Sequence, residues 1–198
     1  MTLPRGLYAI ADSTIGDPYT LGIELAEAGC TLIQLRTKGW TTQEVARVGA
    51  QLLEPLHNLG AKLIINDHTD VAAAIGADGV HLGQGDGSTE EARLALGPNA
   101  LIGLSTHSLE QVHLVSHVDY IGFGPIFATT TKRAAGDPRG IEALRTVVQQ
   151  SPVPVIAIGG ITRRNLVAVR ATGVHGWAII SDLYANGTLM DSVPEMSF

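Results

Sequence analysis

The sequence of 198 residues has a single cysteine, no run of basic residues and no long hydrophobic stretch. Because Cys30 cannot form an internal disulfide, the chain fits a reducing compartment, and the apolar run around this residue predicts that it packs in a core. The net charge of -6 argues against nucleic acid as the main partner, since binding a phosphate backbone requires clustered positive charge. No apolar run approaches the ~18 residues of a membrane-spanning helix, and the N-terminus lacks the apolar core of a signal peptide. We therefore expect a cytoplasmic protein without a membrane partner.

The composition is that of a well-buried globular chain. Hydrophobic residues make up 45% of the sequence and charged residues 16%. The length suffices for one sizeable core and is short for two, so residues 1–198 are predicted to form a single domain.

Eight short apolar runs alternate with longer amphipathic stretches. Each run is too short for a helix and rich in Ile, Val and Leu, which is typical of strands buried on both faces. The runs are residues 7–11, 31–35, 62–65, 79–82, 100–104, 119–123, 153–158 and 176–180. Among the stretches between them, residues 41–59 are predicted to be a helix, with Thr41 or Thr42 as N-cap and Gly60 as C-cap.

Eight strand–helix modules predict a compact (βα)8 TIM barrel. An open doubly wound sheet is the alternative, but it usually has a glycine-rich fingerprint after the first strand, and none follows Asp12. Residues 182–198 are expected to form a short eighth helix, because Asn186 and Gly187 interrupt the pattern and Pro194 lies near the end.

In such a barrel, the chemistry lies at the C-terminal ends of the strands. The second strand ends in Gln34, Leu35, Arg36, Thr37 and Lys38. Two cations that leave a buried strand need a partner at the barrel mouth. A substrate anion is one candidate, and an ion pair with a neighbouring acid is the other.

The next two strands each bring a carboxylate to the same rim. The third ends in Asn66 and Asp67, and Asp86 follows the fourth. Two carboxylates with substrate oxygens and waters make the six-coordinate oxygen environment of Mg²⁺. Alternatively, Asp67 caps a helix over residues 69–75. His81 is expected to fill the mouth or to form local hydrogen bonds rather than to bind metal.

A loop after the sixth strand carries Thr129, Thr130, Thr131 and Lys132. Hydroxyl donors and an ammonium group match phosphate oxygens, although a polar surface loop would have the same composition. After the last two strands, Gly160 and the pair Ile180 and Ser181 match the usual phosphate-binding cup of such barrels.

The strand ends together predict one pocket for two anionic groups and a metal, with no evident nucleophile. This combination suggests transfer of a group away from pyrophosphate, with Arg36 and Lys132 stabilising the leaving group. A phosphorylated acceptor would be held by Gly160 and Ser181. Neither organic moiety is identified by composition or spacing.

Several motifs, in the same order along the chain, resemble those of the thiamine-phosphate synthase family. They are residues 34–38, 65–67, 76–84, 105–107, 122–132, 158–161 and 180–181, so the resemblance runs from about residue 6 to residue 183. The family is a (βα)8 barrel that joins a hydroxymethylpyrimidine diphosphate to a thiazole phosphate, giving thiamine phosphate and pyrophosphate.

The resemblance also implies roles for individual residues. The pyrimidine diphosphate would be held by Gln34, Leu35, Arg36, Thr37, Lys38, Asn66, Ser105 and Lys132, of which Arg36, Ser105 and Lys132 would act in catalysis. Asp67 and Asp86 would bind Mg²⁺. The thiazole phosphate would be held by Thr129, Thr130, Thr131, Gly160, Ile180 and Ser181. The implied mechanism is dissociative: pyrophosphate leaves first, and the thiazole nitrogen captures the pyrimidine cation.

Four further points bear on this resemblance. Thr37 stands where the family commonly has an acidic residue. A thiazole tautomerase on the same barrel would use a histidine at the place of His107, but such relatives usually lose the metal and pyrophosphate residues that are kept here. A non-catalytic regulator that binds thiamine phosphate is a third possibility. The family is often dimeric, so a homodimer is an open expectation.

Overall fold

A computed structural model of the chain describes residues 2–129, 136–185, 188–189 and 193. Eight parallel strands close into a barrel in sequence order, with β1 pairing to both β2 and β8. The strands are β1 (Gly6–Asp12), β2 (Leu32–Arg36), β3 (Lys62–Asn66), β4 (Gly79–Leu82), β5 (Leu101–Thr106), β6 (Tyr120–Phe123), β7 (Val155–Ile158) and β8 (Gly176–Ile179). The predicted TIM barrel is confirmed, and each predicted strand lies within two residues of the observed one.

In the part of the chain that the structure describes, seven α-helices connect the strands. They are α1 (Pro18–Glu27), α2 (Thr42–Asn58), α3 (Thr69–Ile75), α4 (Thr89–Leu96), α5 (Leu109–His113), α6 (Gly140–Gln150) and α7 (Leu166–Arg170). Thr41 is the N-cap of α2, as predicted, and forms a reciprocal capping box with Glu44. At the other end Leu59 is the C-cap, and Gly60 follows it with a φ of 76°.

The barrel has one core outside its strands and another inside them. The outer core packs the strands against the helices and includes Cys30, whose thiol has its pKa raised to about 12 by burial. The inner core includes Tyr8, Ile10 and Tyr120. Because side chains alternate along a strand, neighbouring residues of β2 serve different cores, and Leu35 belongs to the outer one.

The predicted C-terminal helix is wrong over residues 182–185 and 188–189. A single 3-10 turn, η1 (Ser181–Leu183), is followed by two antiparallel strands, β9 (Tyr184–Ala185) and β10 (Thr188–Leu189). The sequence joins these strands through Asn-Gly, the pair that most favours a two-residue hairpin turn. The sequence analysis interprets the same pair as an interruption of a helix; Asn186, Gly187 and Pro194 themselves lie outside the described residues. Among the described helices, none is long and apolar enough to cross a membrane.

Candidate active site

A pocket opens at the C-terminal ends of the barrel strands and collects most of the predicted site residues. Those that line it are Gln34, Arg36, Lys38, Asn66, Asp67, Asp86, Ser105, Thr129, Gly160, Ile180 and Ser181. Leu35 and Thr37 are absent from the described lining, and the Leu35 side chain packs in the outer core. Thr130, Thr131 and Lys132 lie outside the described residues.

Arg36 is held at the pocket by an acid that the sequence analysis missed. Its Nη1 forms an ion pair with Oδ2 of Asp12, the last residue of β1. Asp12 is fully buried, and its other oxygen accepts hydrogen bonds from the backbone N and the hydroxyl of Thr14, at 2.9 and 2.7 Å. Both carboxylate oxygens are therefore satisfied, and the guanidinium is held at the mouth by a buried counter-charge. The rule that strand ends carry the chemistry points to Asp12 as well.

Lys38 and the two predicted metal ligands form one charged cluster. Lys38 Nζ lies 2.5 Å from Asp67 Oδ2, and Asp67 and Asp86 are hydrogen-bonded to each other. Burial would raise the pKa of Asp67, but the hydrogen bonds from Lys38 and Asp86 outweigh it and lower the pKa. Burial and then the Asp67 carboxylate raise the pKa of Asp86. Asp67 is thus the more acidic of the two carboxyl groups.

The chemistry of this donor set fits a hard divalent cation. Two carboxyl groups within hydrogen-bonding distance of each other repel when both are ionised, and a cation between them removes that repulsion. Within the described ranges there is no group of three or more His, Cys, Asp or Glu side chains that could hold a metal. The remaining ligands of a six-coordinate Mg²⁺ would be water and substrate oxygens, as is usual for this ion.

Asp67 does not cap the following helix. The N-cap of α3 is His68, which makes no side-chain capping bond. Asp67 has a φ of 66°, in the left-handed region that few residues other than glycine adopt. Its carboxylate is bonded to Lys38 and Asp86, so the capping interpretation is wrong.

His81 lies beneath the pocket and forms local hydrogen bonds, as expected. The ring is 7% exposed, with Nε2 at 3.0 Å from the Ser105 hydroxyl oxygen and Nδ1 at 3.2 Å from the Tyr120 hydroxyl oxygen. The Ser105 carbonyl also accepts a hydrogen bond of 2.6 Å from Gln84 Nε2. Both ends of Ser105 are therefore tied to β4 and the residues that follow it.

The loop after β6 packs against two glycines that follow β7. The backbone N of Phe127 donates to the Gly159 carbonyl at 3.0 Å. Gly159 and Gly160 have φ values of 94° and 63°, so both backbones are in the left-handed region. A Cβ on Gly160 would lie 2.5 Å from the Ala128 carbonyl oxygen, and one on Gly159 would lie equally close to Pro125. Glycine is thus required here by conformation and by the close approach of the loop.

His107, which follows β5, forms a hydrogen bond to the backbone at the start of the same loop. Its Nδ1 lies 2.7 Å from the carbonyl oxygen of Gly124. Because a carbonyl only accepts, Nδ1 carries the hydrogen, and Nε2 of the neutral ring is left as an acceptor. His107 lines the pocket, so this nitrogen belongs to a residue of the site.

The segment between Gly160 and α7 is also fixed by side chains. Asn165 Nδ2 donates to the Gly160 carbonyl at 2.9 Å, and Asn165 Oδ1 accepts from the backbone N of Thr162 at 2.8 Å. The backbone N of Arg163 donates to Asp182 in the 3-10 turn after β8, at 2.8 Å. These bonds hold the backbone around Gly160 next to Ser181, on the side of the pocket where a phosphate cup was predicted.

Comparison with known proteins gives one consistent family. The family model described as "Thiamine monophosphate synthase" matches residues 7–183. A thiamine-phosphate synthase of Chloroflexus aurantiacus is 39% identical over 184 residues, which cover 90% of this chain and 85% of that protein. One of Vibrio parahaemolyticus is 42% identical over 179 residues, covering 88% of each chain.

A solved structure agrees with these relatives. The thiamine phosphate pyrophosphorylase of Pyrococcus furiosus superposes with a TM-score of 0.86 and 34% identity, covering 96% of this chain and 94% of that one.

Proposed function

This chain belongs to the thiamine monophosphate synthase family, and on that premise we propose the reaction that its pocket carries out. Membership makes it a transferase of thiamine biosynthesis. The proposed substrates are 4-amino-2-methyl-5-(diphosphooxymethyl)pyrimidine and 4-methyl-5-(2-phosphoethyl)thiazole or its carboxylate. The products are thiamine phosphate and pyrophosphate.

The observation that carries the proposal is that one pocket brings charged side chains that follow β2, β3 and β4 together with a glycine backbone that follows β7. Arg36, Lys38, Asp67 and Asp86 line one side, and Gly160 and its neighbours line the other. Cations beside a carboxylate pair suit a diphosphate with Mg²⁺, whereas a glycine backbone suits a phosphate monoester. The reacting carbon and nitrogen would meet between the two.

The residues of the first side would hold the leaving group. Arg36 is fixed by Asp12, so its remaining N–H groups keep one orientation toward an anion. Lys38 and Ser105 would add an ammonium and a hydroxyl donor. Mg²⁺ bound by Asp67 and Asp86 would supply further positive charge where charge develops on the pyrophosphate. In this dissociative reaction no protein base removes a proton before the carbon–oxygen bond breaks.

The second side would hold the thiazole phosphate. Backbone N–H groups near Gly160 and the Ser181 hydroxyl would donate hydrogen bonds to its phosphate oxygens. Thr129, at the end of the described loop, also lines the pocket. Thr130, Thr131 and Lys132 follow it in sequence and are proposed to complete the contacts with both substrates.

The direct experiment is turnover of purified protein with both substrates, scored separately for thiamine phosphate and for isomerised thiazole. We expect thiamine phosphate only when Mg²⁺ or a similar ion is present, and none in EDTA. Asp86→Ala should lower the rate on the order of 10²-fold, the usual cost of removing one group that stabilises a transition state. Asp70→Ala removes an exposed carboxylate from the first turn of α3 and is the matched control.

Three outcomes would count against the proposal. Unchanged turnover in EDTA would overturn the metal assignment. Isomerised thiazole without thiamine phosphate would favour a tautomerase that uses His107, which lines the pocket and has an acceptor nitrogen. Tight binding of thiamine phosphate without turnover would favour a regulator.

A further inference from the structure

A chain of buried polar side chains crosses the interior of the barrel and ends at Ser105. Gln34 Nε2 lies 2.7 Å from the Tyr8 hydroxyl oxygen, which lies 2.9 Å from the Tyr120 hydroxyl oxygen. Tyr120 then reaches His81 Nδ1 at 3.2 Å, and His81 Nε2 reaches the Ser105 hydroxyl oxygen at 3.0 Å. Gln34, Tyr8, Tyr120 and His81 are each no more than 7% exposed.

The chemistry of the groups fixes the direction of this chain. An amide nitrogen only donates, so Tyr8 accepts from Gln34. Among the described residues, Tyr120 is the only other hydrogen-bond partner of the Tyr8 hydroxyl, so the Tyr8 proton goes to Tyr120. The Tyr120 proton is then directed to His81 Nδ1, which makes Nδ1 the acceptor and places the ring hydrogen on Nε2. Nε2 therefore donates to the Ser105 oxygen.

The barrel is built to accommodate this chain. His81, Gly103 and Tyr120 occupy the same register on the adjacent strands β4, β5 and β6. A Cβ on Gly103 would lie 2.5 Å from the Tyr120 hydroxyl oxygen and closer still to His81 Nδ1. Two residues further along the same strands, Gly122 lies beside Ser105, and the His81 ring passes 3.2 Å from the position of the missing Cβ of Gly122. Two glycines thus give room to the imidazole and the phenol.

Burial keeps the two phenols neutral. Tyr8 and Tyr120 are fully buried, and loss of solvation is the main cause that raises the pKa of each well above the ordinary value for tyrosine. Each hydroxyl therefore keeps its single proton at physiological pH, which a fixed hydrogen-bond direction requires.

We propose that Tyr8, Tyr120 and His81 are positioning residues that fix Ser105 as a hydrogen-bond donor to an anionic oxygen in the pocket. Because the Ser105 oxygen accepts from His81, its own proton is left for the pocket, which Ser105 lines. A hydroxyl set as a donor before binding loses no orientational freedom when the anion arrives. This inference rests on the proposed function, in which the anion is the diphosphate of the pyrimidine substrate.

The first test is the tautomer of His81 in the free protein, read from the 15N shifts of its ring nitrogens by NMR. We expect Nε2 to carry the hydrogen and Nδ1 to be unprotonated. The opposite tautomer would reverse the whole chain, make Ser105 a donor to His81 and overturn the proposal. This measurement uses the wild-type protein and does not depend on turnover.

The second test is a double-mutant cycle between Tyr120 and Ser105, read as the Kd for inorganic pyrophosphate with Mg²⁺ and as kcat and KM. Tyr120→Phe and Ser105→Ala should each weaken pyrophosphate binding about 3- to 10-fold, the size of one net hydrogen bond. The double variant should bind no more weakly than Ser105→Ala alone, since Tyr120 acts through Ser105. Additive losses would show a merely structural role and overturn the proposal.

Two conservative variants of His81 separate its two nitrogens. His81→Gln places an amide N–H near the position of Nε2 and should keep most of the pyrophosphate affinity. His81→Asn places its amide near Nδ1 and should lose affinity as Ser105→Ala does. Equal losses in both would contradict the assigned direction. A wild-type protein that neither binds pyrophosphate nor turns over would instead overturn the proposed function, while the tautomer would still decide the direction of the chain.

Discussion

Gly160→Ala tests whether the loop after β6 is positioned by the glycines after β7. Gly160 has a φ of 63°, where an alanine costs about 1 kcal/mol of stability through its backbone alone. The new Cβ would lie 2.5 Å from the Ala128 carbonyl oxygen and 2.8 Å from Phe127 Cβ. The loop would have to move away by roughly 0.9 Å to lengthen the distance from the new Cβ to the Ala128 carbonyl oxygen to 3.4 Å, an ordinary van der Waals contact.

A displacement of this size at a positioned substrate group costs on the order of 10- to 100-fold in kcat/KM. We expect that loss in Gly160→Ala, with most of it as a raised KM for the thiazole phosphate, since the loop contributes Thr129 to the pocket. Steady-state kinetics with each substrate varied in turn, together with unfolding in urea, measures both effects on one protein.

Gly76→Ala is the matched control. Its φ of 70° is close to that of Gly160, and it is the C-cap of α3, with no atom within 4 Å of a built Cβ. It should lose about the same 1 kcal/mol from its backbone and keep wild-type kinetics. If Gly160→Ala matched this control in both stability and KM, the loop would not depend on the glycines, and the reasoning would be refuted.

Two further predictions concern ionisable groups, one fully buried and one partly buried. Asp12→Asn leaves the Arg36 guanidinium without its buried counter-charge, so urea unfolding should show a loss of about 3 kcal/mol; a loss below 1 kcal/mol would contradict the role given to Asp12. Burial lowers the pKa of His175, whose Nε2 lies 3.3 Å from the Leu3 carbonyl oxygen. Because the unfolded chain then binds a proton more readily, the free energy of unfolding should fall as the pH drops below about 6.5, and His175→Gln should show a smaller fall over the same range.

Much of the fold could be predicted because each strand of a parallel barrel is buried on both faces. The apolar runs placed all eight strands, and the rule for strand ends brought Asp67 and Asp86 to one rim. The C-terminal hairpin was missed because Asn-Gly both ends a helix and turns a hairpin, and tertiary context decides between the two.

The contacts between side chains were harder to predict from the sequence. Tyr8 and Tyr120 are 112 residues apart, and their contact depends on the register of strands that a pattern of hydrophobicity does not fix. In the sequence, nothing distinguishes Gly103 from other strand glycines. Its role follows only from the His81 and Tyr120 rings that lie beside it in the structure. Asp12 lies at the end of a predicted strand, so the rule for strand ends could have identified it. Its partner Arg36 could be identified only from the strand register that pairs the two residues.

The ion pair between Lys38 and Asp67 has a consequence for the order in which ligands bind. In the free protein, the ammonium group is already the counter-ion of a carboxylate that a divalent cation would use. A cation at Asp67 would compete with Lys38 for this carboxylate, and an anion at Lys38 would compete with Asp67 for the ammonium group. The first ligand to bind weakens the ion pair between Lys38 and Asp67, so the second ligand binds against less competition. Each ligand therefore raises the affinity for the other by the same factor. The two ligands would therefore enter most readily as one complex of metal and diphosphate.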